Sequence, residues 1–480
     1  MEYLNNIKEK TIYALFWKFL ERAGVQIVSF ILSIILARLL LPADYGIVAI
    51  LLIFINIADI FVNFGLGSAL IQKKFADDID FCSVFYFSLI FSIFIYAVVF
   101  VFSPTIANFY QIPILCDTLR ILGIRIPIAA INSIQQAYLV REMKFKKIFH
   151  ATLTGTIISA FVGVFMAYHD FGVWALIGQY LSNAIINTIV LSIVIDWHPK
   201  FLFSINRLKE LFNYGWKLLA SGILNSAYTS CNGLVIGKIF SSASLGYFIT
   251  GQKFPLIIVN NINESISSVL FPVLASEQDN AEKVKTHTRR AIQISSYIMW
   301  PIMLGMAACA DSIVALMFTD KWLPAVPYLQ IACITYGLWP IHTANLQAIN
   351  AMGRSDIFLK LEIIKKIIAF TALFVSVQYS VFMIALSELI AGIIGSVINA
   401  YPNRYLLRYT YIEQMKDIIP SFLLSLIMAI IVLFIGEAEI NNLYKLFLQI
   451  IVGVIVYIGG SLFFKLDSYT YIINSIKNMR

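Results

Sequence analysis

Fourteen hydrophobic stretches follow one another along the 480 residues, and lysine and arginine crowd into every second gap between them. An apolar run of about 17 to 25 residues is long enough to cross a bilayer as a helix. Hydrocarbon offers no water to the backbone, so segments patterned this way satisfy their peptide groups internally, as helices. The stretches cover 24–41, 46–70, 81–102, 119–140, 148–168, 171–195, 217–240, 245–273, 291–310, 326–350, 361–378, 380–400, 418–436 and 443–464. The chain is 60% hydrophobic and 13% charged, against roughly 25% charged for a soluble domain. The gaps are short, which leaves no room for a soluble domain.

Basic clusters such as Lys73-Lys74, Arg141 to Lys147, Lys200 to Lys209, Lys283 to Arg290 and Arg404 to Lys416 mark one side of the membrane. The positive-inside rule makes that side cytoplasmic and places both termini there. Arg38, Arg120, Lys238, Lys321 and Lys445 fall on the other side, while Arg125 and Lys253 lie within stretches. The net charge of +8 is spread over many segments, which suits anionic headgroups and excludes a nucleic-acid face. The first stretch is long and has no small-residue cleavage site, so it reads as a retained span. Cys82, Cys116, Cys231, Cys309 and Cys333 show no CxxC spacing and read as small buried residues. P-loop, HExxH, GxSxG and metal-spaced His/Cys patterns are absent, so neither an enzyme nor a cofactor is expected.

An internal repeat organises the stretches. ILARLLLPADYG, ending at Gly46, aligns with VIGKIFSSASLG, ending at Gly246, so that Arg38 falls on Lys238. Trp17-Lys18 falls on Trp216-Lys217, Gln136-Ala137 on Gln347-Ala348, and FGVWALI from Phe171 on YSVFMIA from Tyr379. Six stretches per repeat is an even number, so both halves enter the membrane from the same side and are related by a pseudo-two-fold axis along its normal. The expected fold is all-α with 14 transmembrane helices. It comprises a six-helix bundle over 1–205, a second over 206–412, and two further helices with a cytoplasmic C-terminus over 413–480.

Polar residues recur at helical spacing inside these stretches. Arg22, Gln26, Ser29 and Ser33 share one face of the first, and Ser221, Asn225, Tyr228 and Asn232 one face of the seventh. Asn56, Asp59 and Asn63 do so in the second, Asn132, Gln135 and Gln136 in the fourth, Asn260, Asn263, Glu264 and Ser267 in the eighth, and His342 and Asn345 in the tenth. Lipid does not solvate such groups, so the faces point to a wet interior. Gln26, Ser29, Asn56, Asn63, Asn132, Gln136, Asn225, Asn232, Asn260, Asn263 and Asn345 are the candidates for its lining. The competing reading is a helix-to-helix hydrogen bond worth about 0.6 to 2 kcal/mol at each amide. Asp59, near mid-membrane, and Glu264 are candidates for ion coupling, with a structural ion pair the alternative for Asp59. Arg38 and Lys238 either snorkel to headgroups or present a paired cationic site to a phosphate. Arg125 and Lys253 are candidates for contact with an anionic substrate group.

The run FWKFLERAGVQIVSFILSIILARLLLPADYGIVAI, followed by FVNFGLGSALIQKK, resembles polysaccharide exporters of the Wzx type. QAYLVREMKFKK from Gln136 and FGVWALIGQ from Phe171 extend the resemblance, whose most specific part is the L-A-R-x-L-x-x-x-x-Y-G pattern from Leu36 to Gly46. It implies two six-helix bundles around a V-shaped cavity with two helices appended. The implied activity is flipping of undecaprenyl-pyrophosphate-linked oligosaccharide units across the bacterial inner membrane, by alternating access, for O-antigen, capsule or exopolysaccharide synthesis. Arg38, Lys238, Arg125 and Lys253 then become the pyrophosphate candidates, and a Na+ or H+ gradient or the membrane potential the driving force. The expected partners are the lipid-linked oligosaccharide, membrane lipids, and polysaccharide polymerase and chain-length proteins around a monomeric carrier, with no nucleic acid. A multidrug exporter or a lipid II flippase of the same superfamily is the alternative, and a membrane glycan polymerase or ligase a more distant one.

Overall fold

The computed structural model describes residues 2–63 and 65–478, without the side chains of residues 2–12 and 15, several between 213 and 228, and 475, 476 and 478. All regular elements among the described residues are helical. The first repeat runs through α1 (Glu2–Leu39), α2 (Pro42–Asn63), α3 (Leu66–Gln72), α4 (Asp78–Tyr110), α5 (Ile114–Gly123), α6 (Arg125–Arg141), α7 (Phe145–Tyr168) and α8 (Val173–Val194). The second runs through α9 (Ile205–Ile239), α10 (Ser242–Ser276), α11 (Ala281–Ala308), α12 (Ala310–Phe318), a 3-10 turn at Asp320–Ala325, α13 (Val326–Gly337), α14 (Trp339–Ala351), α15 (Ser355–Ser376) and α16 (Val381–Ala400). The short α17 (Asn403–Leu406) leads to α18 (Tyr411–Gly436), α19 (Asn442–Phe463) and α20 (Asp467–Asn478).

Each of the fourteen stretches lies mostly on helix, and among the described residues ten helices are long and apolar enough to cross a membrane. The stretch at 46–70 is not one span: α2 stops at Asn63, Gly65 takes the left-handed conformation (φ 65°), and α3 follows. The fourth and tenth stretches are each broken by one residue, Ile124 between α5 and α6 and Leu338 between α13 and α14. Pro127 and Pro340 follow these breaks within three residues, and neither can donate a backbone hydrogen bond to the preceding turn. The interruption is therefore written into both repeats. Helix starts carry their own caps: Asp77 and Asp80 form a capping box on α4, Thr410 and Glu413 another on α18, and Ser204 caps α9.

The chain divides into two compact units, Met1–Gly246 and Tyr247–Arg480. The repeat places its boundary at 205, whereas α9 packs against α2, α3 and α4 of the first unit. In that unit α2 is the central helix, with neighbours on α4, α5, α6, α8 and α9 and half of its apolar window buried. A core of Leu66, Leu70, Phe81, Leu139, Ile148 and Trp197 closes the end where the basic clusters lie. The first turns of α2 and α10 meet backbone to backbone: a Cβ on Gly46 would overlap the Ser242 carbonyl, and one on Gly246 the Pro42 carbonyl. Both glycines of the repeated motif are thus required by the same close approach.

In the second unit α11 is central, packed against α13, α14 and α18. Trp300, Ile341, Tyr409, Met428 and Tyr457 form its core.

Candidate functional site: a polar cavity in the first unit

Three helices of the first unit surround a cavity of about 360 Å³. From α2 come Asp59 and Asn63, one turn apart. From α6 come Arg125, Asn132, Ser133 and Gln136, and from α8 Asn183, Asn187 and Thr188. The break at Ile124 starts α6 at Arg125, so the guanidinium projects from a helix N-terminal turn rather than from a helix interior. It pairs with Asp59, Nη2 to Oδ2 3.4 Å, with the two side chains 26% and 17% exposed, so the pair remains accessible from the cavity.

Neutral groups complete the lining. Gln136 Nε2 donates to Asn132 Oδ1 at 2.7 Å, and Asn132 Nδ2 donates to Thr188 Oγ1 at 3.2 Å. Asn183 Nδ2 reaches Ser159 Oγ of α7 at 3.3 Å, and Asn63 Nδ2 donates to the Asp59 carbonyl at 2.8 Å. Asp59 Oδ1, Asn63 Oδ1 and Asn187 Oδ1 are buried acceptors with no hydrogen-bond donor. Buried acceptors are ordinarily satisfied, so these three are sites where a ligand's donors fit. A guanidinium fork suits phosphate oxygens, and amides and hydroxyls suit sugar hydroxyls. No group of three or more His, Cys, Asp or Glu able to hold a metal occurs among the described residues.

Of the expected lining residues, Asn63, Asn132 and Gln136 meet here, together with Arg125 and Asp59. The other described candidates of the first unit do not line it. Gln26 and Ser29 of α1, Asn56 of α2 and Asn260 of α10 are exposed, and Asn232 of α9 is half-buried. The side chain of Asn225 lies outside the described residues. Asn263 is buried and its Oδ1 has no donor, and Glu264 beside it is exposed.

Asn345 is not a cavity residue. It is fully buried, donates to Gln414 Oε1 of α18 at 2.8 Å, and accepts from Gln414 Nε2 at 3.0 Å and Asn403 Nδ2 at 2.7 Å. Its neighbour on the same face, His342, lies with Nδ1 2.9 Å from Asn399 Nδ2. These polar groups tie α14 to α16, α17 and α18.

Of the three phosphate candidates in the first unit, Arg125 alone lines the polar cavity. Arg38 is exposed in the last turn of α1. Lys238 donates to the Phe109 carbonyl, lies 4.3 Å from the centre of the Phe109 ring, and borders an apolar cavity of about 540 Å³ with Phe54, Tyr110 and Leu234. Lys253, half-buried on α10, belongs to the second unit, where the adjacent Gln252 donates to Glu388 Oε2 at 2.8 Å.

Sequence reading missed the α8 wall. Gln179, Asn183 and Asn187 recur every four residues in the sixth stretch, the same signal that marked the first, second and eighth.

Where the basic clusters gather, ion pairs pin the connecting segments. Arg141 donates to the carbonyls of Leu70, Lys73 and Lys74, closing the end of α3. Buried Asp80 meets Lys73 at 3.0 Å, and Asp196 bridges Lys144 and Lys147. Hydrogen bonds from Lys147 and Lys144 hold the Asp196 carboxyl down at about 2.

Comparison with known proteins fixes the family. The family model described as "Polysaccharide biosynthesis protein" matches residues 35–327. The chain belongs to that family. The match covers the whole first repeat from the Leu36 to Gly46 motif onward, in line with the Wzx resemblance. Relatives include the succinoglycan biosynthesis transport protein ExoT of Rhizobium meliloti, 24% identical over 71% of this chain and 69% of that one. The lipopolysaccharide biosynthesis protein WzxC of Escherichia coli K12 is 22% identical over 82% of this chain and 81% of its own length. Among solved structures, the lipid II flippase MurJ in an inward closed conformation superposes with a TM-score of 0.76 at 18% identity, covering 94% of this chain and 99% of its own. At that identity the likeness speaks for the fold: an all-helical, multi-pass membrane protein.

Proposed function

We propose that the chain is a flippase that moves undecaprenyl-pyrophosphate-linked oligosaccharide units from the cytoplasmic to the outer face of the bacterial inner membrane, feeding surface polysaccharide synthesis. The observation that carries this reading is the cavity that joins Arg125 to a wall of amides inside a membrane bundle. Few ligands need a cation and many neutral hydrogen-bonding groups in lipid surroundings; a sugar joined to a lipid through pyrophosphate needs both. Family membership supports it, as do the relatives named for succinoglycan transport, ExoT, and lipopolysaccharide biosynthesis, WzxC.

The volume sets the division of labour. A cavity of about 360 Å³ lies near the lower end of the range for small-molecule sites, about 300 to 1,000 Å³. It takes a phosphate and the adjoining sugar ring; further sugars stay outside it and the prenyl tail in lipid. Arg125 holds the phosphate, Asn63, Asn132, Gln136, Asn183 and Asn187 the sugar hydroxyls, and Arg38, Lys238 and Lys253 meet the pyrophosphate elsewhere on its path. The fourteen helical stretches cross the membrane with both termini cytoplasmic, and alternating access moves the load. Asp59 couples the cycle to a proton or sodium gradient, or the membrane potential drives the charged substrate directly. The carrier works as a monomer and hands its product to polymerase and chain-length proteins.

The test is a flipping assay in proteoliposomes with a fluorescent undecaprenyl-pyrophosphate-linked oligosaccharide. Wild type should expose the label to an impermeant quencher over time, and Arg125→Gln should not. Equal rates for the two, with the variant folded, would rule out the cavity as the substrate site.

A further inference from the structure

Arg125 and Asp59 are the charged residues that line the cavity, and they are paired with each other. As it stands the cavity is close to neutral, and its one guanidinium is already engaged. A phosphate that enters has to share Arg125 with the carboxylate or take it. Sharing sets two anions on one cation, which is unfavourable. Taking it leaves an unpaired carboxylate buried in a membrane bundle, which is worse. Asp59 Oδ1 already lacks a donor, and Oδ2 would lose its only charged partner.

A proton on Asp59 removes both difficulties. The carboxyl becomes neutral, so it neither repels the phosphate nor requires Arg125. It also gains an O–H donor, and donors are what this cavity lacks: Asn63 Oδ1, one helical turn along α2, and Asn187 Oδ1 on α8 are both buried without one. Asn63 already donates to the Asp59 carbonyl, so its acceptor oxygen is held on the same stretch of α2.

We infer that Asp59 is an internal competitor for Arg125: the phosphate of the ligand displaces the Asp59 carboxylate, and the displaced carboxylate takes a proton from water, so that anion binding in this cavity carries a proton with it. The inference rests on the reading of Arg125 as the phosphate-binding residue of a lipid-linked oligosaccharide carrier. It deepens that reading by tying substrate recognition to protonation at one residue pair, with a fixed sign: substrate and proton bind together. The proton therefore leaves with the load, and the membrane potential acting on the remaining negative charge, not an inward proton gradient, drives the cycle.

The surroundings leave Arg125 as the charged group that acts on Asp59. From α8, Tyr180 lies within electrostatic reach of Arg125. Among the described residues of α4, α5 and α9, the titratable Tyr110, Asp117, Arg120, Cys231 and Lys238 do not line the cavity. Arg120 is turned to Ser103 Oγ at 2.9 Å, and Lys238 to Phe109.

The experiment measures binding of undecaprenyl pyrophosphate to the full-length protein in lipid nanodiscs as a function of pH at fixed sodium, and of sodium at fixed pH. The wild type should bind more weakly as pH rises, by up to about tenfold per pH unit beyond the probe's own ionisation. Asp59→Asn cannot titrate and should show the probe's ionisation alone, with tighter binding than wild type at high pH. Asp59→Glu, which restores a titratable group, should restore the slope and guards against a folding defect in the Asn variant. A slope unchanged by Asp59→Asn would overturn the inference while leaving the flippase reading intact. A dependence on sodium in place of pH would overturn the proton as the partner. No binding by folded wild type at any pH would overturn the flippase reading itself, and the inference with it.

Discussion

Two helices in related positions, α6 of the first unit and α14 of the second, both begin after a one-residue break and both carry amides, yet they use them differently. On α6, Asn132 and Gln136 face a cavity with Arg125 at its edge. On α14, Asn345 is fully buried and exchanges hydrogen bonds with Gln414, which the later helix α18 supplies. Likewise the Arg125–Asp59 pair of the first unit stays partly accessible, whereas in the second the carboxylate of Glu388 accepts from Gln252. Duplication supplies the same polar positions twice. Whether they become a site depends on what else packs there, and α18 fills in the second unit what the first leaves open.

The comparison can be broken by mutation. The largest effect is expected at Arg125→Leu, which leaves Asp59 without its cation; because the two side chains are still 26% and 17% exposed, the cost should fall at the low end of that for breaking a buried ion pair, about 3 kcal/mol. Thermal denaturation in detergent should show that loss, and adding Asp59→Asn should recover most of it. A variant as stable as wild type would mean that the pair is already solvated like a surface one.

Next in size is Asn345→Ala, which leaves Gln414 and Asn403 without their shared partner. A cost of about 1 to 3 kcal/mol is expected, with flipping per folded molecule unchanged. Asn187→Ala reverses the pattern. Its Oδ1 has no donor to lose, so stability should stay within about 0.5 kcal/mol, while flipping falls several-fold. Should Asn345→Ala abolish flipping and Asn187→Ala spare it, the roles of the two units would be exchanged.

The smallest effect lies outside the membrane bundles. Asp196 is held at about 2, below its ordinary 3.8, by Lys147 and Lys144. Its contribution to stability is present above the unfolded value and lost as pH falls from about 4 through about 2. Acid titration of Asp196→Asn, followed by intrinsic fluorescence, should lack that component; identical acid profiles would show that the bridge contributes nothing in solution.

Much of this organisation was legible in the residues, for physical reasons. Hydrophobic length has one meaning in lipid, so the helical stretches were readable, and the Gly46 and Gly246 motifs aligned because both meet a backbone carbonyl at close range. Asp59, Asn63, Asn132 and Gln136 were readable as polar faces because apolar neighbours make their spacing conspicuous. Tertiary partners were not. Asn345 carries the same signal as Asn132, and only the arrival of Gln414 from α18 distinguishes a filled position from an open one. The stop of α2 at Asn63 was hidden because α3 continues the apolar run, and the α8 wall because its amides sit among many apolar residues. Nor does sequence spacing say that Arg125 would find Asp59, 66 residues earlier in the chain, while Arg38 and Lys238 of the same unit do not line the cavity.

The most direct measurement is the flipping rate in proteoliposomes of the double variant Asp59→Asn with Arg125→Gln, set beside Asn345→Ala. Both remove buried polar contacts, and the double variant leaves no unpaired charge behind, so folding does not separate them. If the cavity of the first unit is the substrate site, the double variant should be folded and inert while Asn345→Ala flips at the wild-type rate per folded molecule. A folded double variant that flips at the wild-type rate would contradict it.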